Sequence, residues 1–146
     1  MKQYFKNTLT MIEEALESMK DSVFDQLVNE AVETIKKGNK IITSGLGKNV
    51  PICEKFVGSM VSMGLPAYFL HTNSAVHGDL GLVKKDDLVI VLTKSGETTE
   101  SIYLTKHLEN HEANIWLLSF NQESTLTKRI PKSLILDLKH EGDLWN

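Results

Sequence analysis

The chain has 146 residues, a formal charge of −3, 41% hydrophobic and 24% charged residues, the profile of one globular domain long enough to bury its own core. Its 16 basic residues include a single arginine, Arg129, which argues against an extended nucleic-acid-binding surface. The lone Cys53 excludes an internal disulfide and a cysteine metal cluster, and no run approaches the ~18 apolar residues of a membrane span.

The amino terminus, MKQYFKNTLTMIEEALESM, lacks the apolar centre and cleavage site of a signal peptide, so the expected location is the cytoplasm. Leu9, Ile12, Leu16 and Met19 recur at helical spacing and predict a helix over 4–20. Phe24, Leu27, Val28, Ala31, Val32 and Ile35 form a second helical stripe, which stops at Lys36-Lys37-Gly38. A short β-rich run, 40–44, ends at Gly45. Residues 50–64 carry apolar side chains around much of a helix and predict a largely buried one. Strands are predicted at 66–70, 88–93, 114–120 and 133–138, with a helix at 98–110 and a short helix or turn at 124–129. Continuous apolar runs such as 88–92 suit parallel strands covered on both faces. No repeat, low-complexity segment or interdomain linker interrupts this order. The alternation predicts a three-layer α/β/α sandwich with a five-stranded, mostly parallel sheet and two amino-terminal helices. A covering helix is expected after the fifth strand, yet the sequence ends at Asn146. The expectation is therefore a truncated chain or a cover borrowed from a partner.

Three loops carry the chemistry. Ser44-Gly45-Leu46-Gly47-Lys48 joins a strand to a helix. Its glycines let backbone N–H groups approach an anion, and a lysine in the first helical turn opposes the helix dipole, which favours a functional reading over a plain turn. The spacing fits neither the Walker loop nor a full dinucleotide fingerprint. Thr93-Lys94-Ser95-Gly96-Glu97-Thr98-Thr99-Glu100 places four hydroxyls at a second helix entry, where a cap needs only one. The surplus favours an anion cradle. Glu97 and Glu100 have a simple role as carboxylates at a helix amino terminus. His77-Gly78-Asp79 offers an acid–base group in His77, although a loop histidine is more often a hydrogen-bonding residue. His71 has no evident third ligand, so no metal site is expected. Cys53 reads as a small core residue. The first and third loops can lie together at the carboxyl edge of the sheet, where ligands of open α/β sheets bind.

With these loops in this order, the chain resembles a sugar isomerase (SIS) domain from about residue 39 to 141, a flavodoxin-like α/β fold. Within that superfamily, the pairing of GxGK with HGDLGxV resembles the arabinose-5-phosphate isomerase group of bacteria, whereas the SxSGET-like loop is shared by all SIS domains. The resemblance implies a helical pair over 1–38, packing on the domain and at an oligomer interface, and a sugar-phosphate-binding domain over 39–146. It implies that Ser44, Gly45, Gly47, Thr93, Ser95 and Thr98 surround a phosphate. It implies roles in sugar binding or catalysis for Lys48, His77, Glu100 and Glu141. Another family histidine falls beyond Asn146. Asn49 stands where serine commonly follows the lysine, Thr72 where proline commonly follows His71, and Gly142-Asp143-Leu144 where a small-Cys-Pro stretch follows the glutamate.

The implied activity is aldose–ketose isomerisation of a phosphosugar, D-arabinose 5-phosphate to D-ribulose 5-phosphate, through an enediol, with Glu141 as base and no cofactor or metal. The alternatives are a sugar-phosphate sensor that binds without turnover, or another SIS enzyme. A DNA-binding regulator is disfavoured by two amino-terminal helices without arginine. The expected partners are a phosphorylated sugar and further copies of this chain, as a homodimer or homotetramer built with the amino-terminal helices, with no nucleic acid and no membrane.

Overall fold

Five apolar residues and a threonine make up β3 (Leu88–Thr93), the central strand of the sheet in the computed structural model, which describes residues 2–137. The elements run α1 (Lys2–Ser18), α2 (Asp21–Lys36), β1 (Ile41–Gly45), α3 (Asn49–Ser62), β2 (Ala67–His71), α4 (Thr72–Val76), a 3₁₀ turn at Asp79–Leu82, β3, α5 (Thr99–Asn110), β4 (Asn114–Ser119), α6 (Thr125–Arg129) and β5 (Ser133–Ile135). All pairings are parallel and the strand order is β2-β1-β3-β4-β5. The expected three-layer α/β architecture is thus the observed one.

Successive strand residues point to opposite faces. Ile42, Val89, Val91 and Leu117 pack with Ala75 of α4, Leu104 and Leu108 of α5 and Leu126 of α6. Ile41, Leu88, Ile90 and Trp116 pack on the other face with Leu27 and Ile35 of α2 and Met60 of α3. Each apolar strand is therefore covered twice, as its unbroken hydrophobic run requires.

Two carboxylates, the buried Asp87 and the partly buried Glu30, fasten separate elements together. Asp87, just before β3, accepts the backbone N–H of Lys40 (3.1 Å) and of Lys84 (2.7 Å), and also pairs with the Lys40 ammonium. It thereby fastens the start of β1 to the start of β3, where Ile41 lies opposite Leu88. Burial pushes the Asp87 carboxyl up, but the Lys40 side chain and the two N–H donors outweigh it and hold it below the ordinary value. Glu30 of α2 accepts from Asn114 (2.7 Å), the Trp116 indole (2.8 Å) and Lys132 (2.9 Å), all at Oε2. Burial again pushes upward, and the bonds from Trp116, Asn114, Lys132 and Gln26 bring Glu30 from 4.5 down to about 2.

Three expectations need correction. The helix predicted over 50–64 is not largely buried. Only Cys53 is buried in α3, while Ile52, Phe56 and Val61 are exposed. The segment from His77, read as a loop, contains a 3₁₀ turn at Asp79–Leu82, and α4 before it was not predicted, because the short TNSAV segment shows no apolar period to announce it. The strand predicted over 133–138 pairs only as Ser133–Ile135, and position 138 lies outside the described residues.

Asp87→Ala leaves two partly buried N–H donors and an ammonium without their acceptor. It should lower unfolding free energy by about 3 kcal/mol in urea denaturation. For Glu30, the folded carboxyl titrates below its unfolded value, so its contribution is complete above pH 4.5 and disappears as pH falls toward 2. Melting temperatures of the wild type and Glu30→Gln should therefore converge as acid is added across that window. A constant gap would contradict the assignment.

Candidate functional site

The connections leaving β1 and β3 diverge, the first returning through α3 to β2 and the second through α5 to β4, on opposite sides of the β1–β3 pair. This divergence opens a crevice at the carboxyl edge of the sheet. The loop 44–48 and the loop 93–98 both lie there, the strands being level at Ser44 and Val91.

Close packing sets the first loop. A Cβ on Gly45 would stand 2.8 Å from Asn49 Cβ and 3.1 Å from Cys53 Sγ, so only glycine lets α3 start this close to the strand end. The exposed Gly47 and Lys48 follow, and Lys48 is the N-cap residue of α3 without a side-chain cap bond. Asn49 Nδ2 donates to the Leu92 carbonyl at 3.2 Å and ties this helix entry to the end of β3. The first N–H groups of α3 are already occupied, Asn49 by the Leu46 carbonyl and Val50 by that of Gly47, each at 3.2 Å. Pro51 has no N–H to offer. The α3 entry therefore presents the Lys48 charge rather than an anion nest.

The second loop is arranged differently. Thr93 is buried and its hydroxyl accepts the Gly96 N–H at 3.1 Å. Ser95 is exposed, accepts the Glu97 N–H at 3.2 Å, and has its carbonyl held by Asn121 Nδ2 at 3.0 Å. Thr98 is the N-cap residue of α5, yet its hydroxyl makes no cap bond. The first turn of α5 is thus left for an anion, with the Ser95 and Thr98 hydroxyls beside it. Glu100 is exposed in that same turn.

Glu97 has another task. Its carboxylate accepts the Thr125 N–H (2.7 Å) and hydroxyl (2.8 Å) at the entry to α6, and the Thr125 backbone and side-chain donors hold its carboxyl below the ordinary value. Ser44 is fully buried, its hydroxyl 3.1 Å from that of Thr72, so it joins the end of β1 to the start of α4. His71, level with Gly45, caps α4 by accepting the Asn73 N–H at Nδ1, 3.3 Å away. His77 is exposed at the carboxyl end of α4, a helix about 7.5 Å long that packs on β2 and α5. Glu141 lies outside the described residues.

The fold therefore brings Gly45, Gly47, Lys48, Thr93, Ser95, Thr98 and Glu100 to one edge, with His77 carried near it. Asn49 and Asn121 brace the two loops; the sequence marked Asn49 only as a departure from the serine that commonly follows the lysine, and Asn121 was not singled out. A groove of about 590 Å³ lies elsewhere, beyond β4 and β5, lined by Lys20, Phe120, Lys128, Ile135 and Asp137 among others. It contains none of the loop residues, and the open α5 turn with its hydroxyls is the better anion site. Among the described residues there is no cluster suited to a metal ion and no helix long and apolar enough to cross a membrane.

Residues 34–139 match the SIS domain family. The chain belongs to that family. Curated relatives include arabinose 5-phosphate isomerase KdsD of Yersinia pestis, 33% identical over 81% of this chain and 38% of its own, and KpsF of Escherichia coli, 37% identical over 69% of this chain and 32% of its own. This SIS domain spans about two fifths or less of the length of these relatives. Among solved structures, an Escherichia coli CFT073 protein in complex with arabinose 5-phosphate superposes with a TM-score of 0.86 at 31% identity, covering 98% of this chain and 74% of that one. A phosphoheptose isomerase from Francisella tularensis shares the fold at a TM-score of 0.74 and 17% identity, covering 96% of this chain and 84% of that one. Both of these curated relatives are named arabinose 5-phosphate isomerases.

Gly96 controls the second loop. It has φ +68°, and a Cβ there would meet Ser124 Oγ at 2.0 Å and Ser124 Cβ at 2.5 Å. Gly96→Ala should therefore cost about 2 kcal/mol or more in denaturant unfolding. A variant as stable as the wild type would show that the loop can move aside.

Proposed function

We propose that this SIS domain binds D-arabinose 5-phosphate and supports its interconversion with D-ribulose 5-phosphate. The observation that carries the reading is the uncapped first turn of α5, flanked by the Ser95 and Thr98 hydroxyls and facing the Lys48 loop across the β1–β3 crevice. The relatives named arabinose 5-phosphate isomerase and the solved neighbour bound to that sugar phosphate support the choice of sugar.

In this reading the phosphate takes the N–H groups of the α5 turn, where the helix dipole favours an anion. Thr93 and Gly96 hold the turn in shape, and Ser95 and Thr98 donate hydroxyl hydrogens to phosphate oxygens. Ser44 and Gly45 act from beneath, fixing the β1 end and its approach to α3, while Gly47 shapes the turn that presents Lys48. The sugar then extends toward Lys48, whose ammonium polarises the carbonyl oxygen. A carboxylate removes the proton from C2 of the aldose, forming the enediol, and the proton returns at C1 as the C2 hydroxyl proton leaves to give the ketose. Glu141 is the proposed base. His77 and Glu100 serve ring opening and proton transfer between oxygens.

Ser95→Ala should weaken binding of arabinose 5-phosphate about tenfold while leaving the far weaker binding of arabinose unchanged. Equal losses would place the phosphate elsewhere. Glu141→Gln should lower turnover by ~10²–10⁴ with binding within a few-fold, because the amide keeps the shape and cannot take the proton. Thermal stabilisation by the phosphosugar without any isomerisation by the wild type would replace the enzyme reading with that of a sensor.

A further inference from the structure

Four consecutive residues of the second loop are held from one side. The Lys94 carbonyl accepts the Phe120 N–H and the Ser119 hydroxyl, each at 3.3 Å. The Ser95 carbonyl accepts Asn121 Nδ2 at 3.0 Å, and the Gly96 carbonyl accepts the Leu126 N–H at 3.2 Å. The Glu97 carboxylate takes both donors of Thr125. A single segment, 119–126, thus grips the loop along its length. In a trans peptide the C=O and N–H point in opposite directions. With three successive carbonyls turned toward that segment, the N–H groups of Ser95, Gly96 and Glu97 turn the other way. There the Gly96 N–H meets the Thr93 hydroxyl and the Glu97 N–H meets the Ser95 hydroxyl. Successive N–H groups facing one side suit an anion.

One of these peptides is easier to turn than its neighbours. The carbonyls of Lys94 and Gly96 are held by backbone N–H groups, which no side-chain change removes. Among the described residues, the Ser95 carbonyl is held by the Asn121 side chain. Its peptide also leads into Gly96, at φ +68°, and glycine permits backbone rotations that other residues resist. Packing against Ser124 demands glycine at 96 and so leaves this peptide free to flip. A flip would aim the Ser95 carbonyl where the Gly96 N–H now stands and set a lone pair against an anion. Asn121 itself stands only one way. Its Oδ1 accepts the Glu123 N–H at 3.0 Å while Nδ2 donates to Ser95, and its own N–H is taken by the Ser119 hydroxyl at 3.2 Å.

We propose that Asn121 is a positioning residue for phosphate recognition: by holding the Ser95 carbonyl, it locks the Ser95–Gly96 peptide with its N–H on the anion side. This role rests on the phosphate site proposed above. It makes a residue of the β4–α6 connection decisive for affinity, acting through the loop rather than on the ligand.

Two variants separate the donor from its surroundings. Asn121→Ala removes the donor and adds no charge. Asn121→Asp removes the donor and keeps the acceptor for the Glu123 N–H. Titration calorimetry should show binding of D-arabinose 5-phosphate weakened about tenfold in both, with the weak binding of D-arabinose, followed by NMR titration, unchanged. In isotope-labelled Asn121→Ala, the Gly96 amide should exchange with solvent about tenfold faster or more, while the amides of β3 keep their protection. Ser95→Ala is the control for the site itself. If it weakens phosphosugar binding selectively and Asn121→Ala does not, the positioning role fails and the site stands. A loss confined to Asn121→Asp is a charge effect and overturns the role, as does an equal loss for D-arabinose or an unchanged Gly96 exchange rate. If the wild type binds no phosphosugar, or Ser95→Ala costs both ligands equally, the site and the role fall together.

Discussion

The placement of the candidate site depends on a carboxylate at the opposite end of the sheet. Asp87 gathers the N–H of Lys40, the N–H of Lys84 and the Lys40 ammonium, and so aligns the first residues of β1 and β3. Parallel strands rise by about 3.3 Å per residue, and a slip of one residue would turn every side chain to the wrong face. With Ile41 opposite Leu88, the two strands finish level, and their loops emerge as neighbours on one edge. No apolar residue could make these bonds. A charge inside the domain is tolerated because its oxygens are fully engaged.

The two loops at that edge divide the work. Pro51 and the tight turn at Leu46 and Gly47 use up the donors of the α3 entry, so this loop contributes a mobile point charge on Lys48. The second loop keeps its helix entry open and spends its internal hydrogen bonds on its own shape. Fixed N–H dipoles recognise a tetrahedral anion by geometry, whereas a lysine follows charge wherever it develops. In the proposed function, this division holds the phosphate rigidly while the sugar end changes during reaction.

Much of this organisation was legible in the residues. The apolar run Leu88–Thr93 announced the central strand, and the loops SGLGK and TKSGETTE announced the edge, because glycine and hydroxyl content is written locally. The destinations of individual side chains were not. Ser44 lies at the end of β1 and Ser95 just past β3, yet the first is sealed against Thr72 and the second faces outward. The difference arises from α4, which carries no periodic signal. Glu97 read as a carboxylate for the α5 dipole, but it reaches across to cap α6, a contact 28 residues away in sequence. The apolar circumference of α3 suggested burial, whereas the sheet covers only the side bearing Cys53. Periodicity reports which residues prefer to be covered, and cannot say whether the same chain does the covering.

The close fit at Gly45 also sets the chemistry of the one thiol in the chain. Cys53 Sγ lies 3.1 Å from where a Gly45 side chain would begin, and the residue is fully buried. Burial pushes its thiol up, away from the thiolate form that alkylating agents and peroxides attack. The sulfur lies directly beneath the first loop of the crevice. Its accessibility therefore measures a single event, the lifting of α3 from the end of β1. In the closed state the thiol is chemically silent, and any labelling clocks the rare moments when the floor of the binding crevice opens.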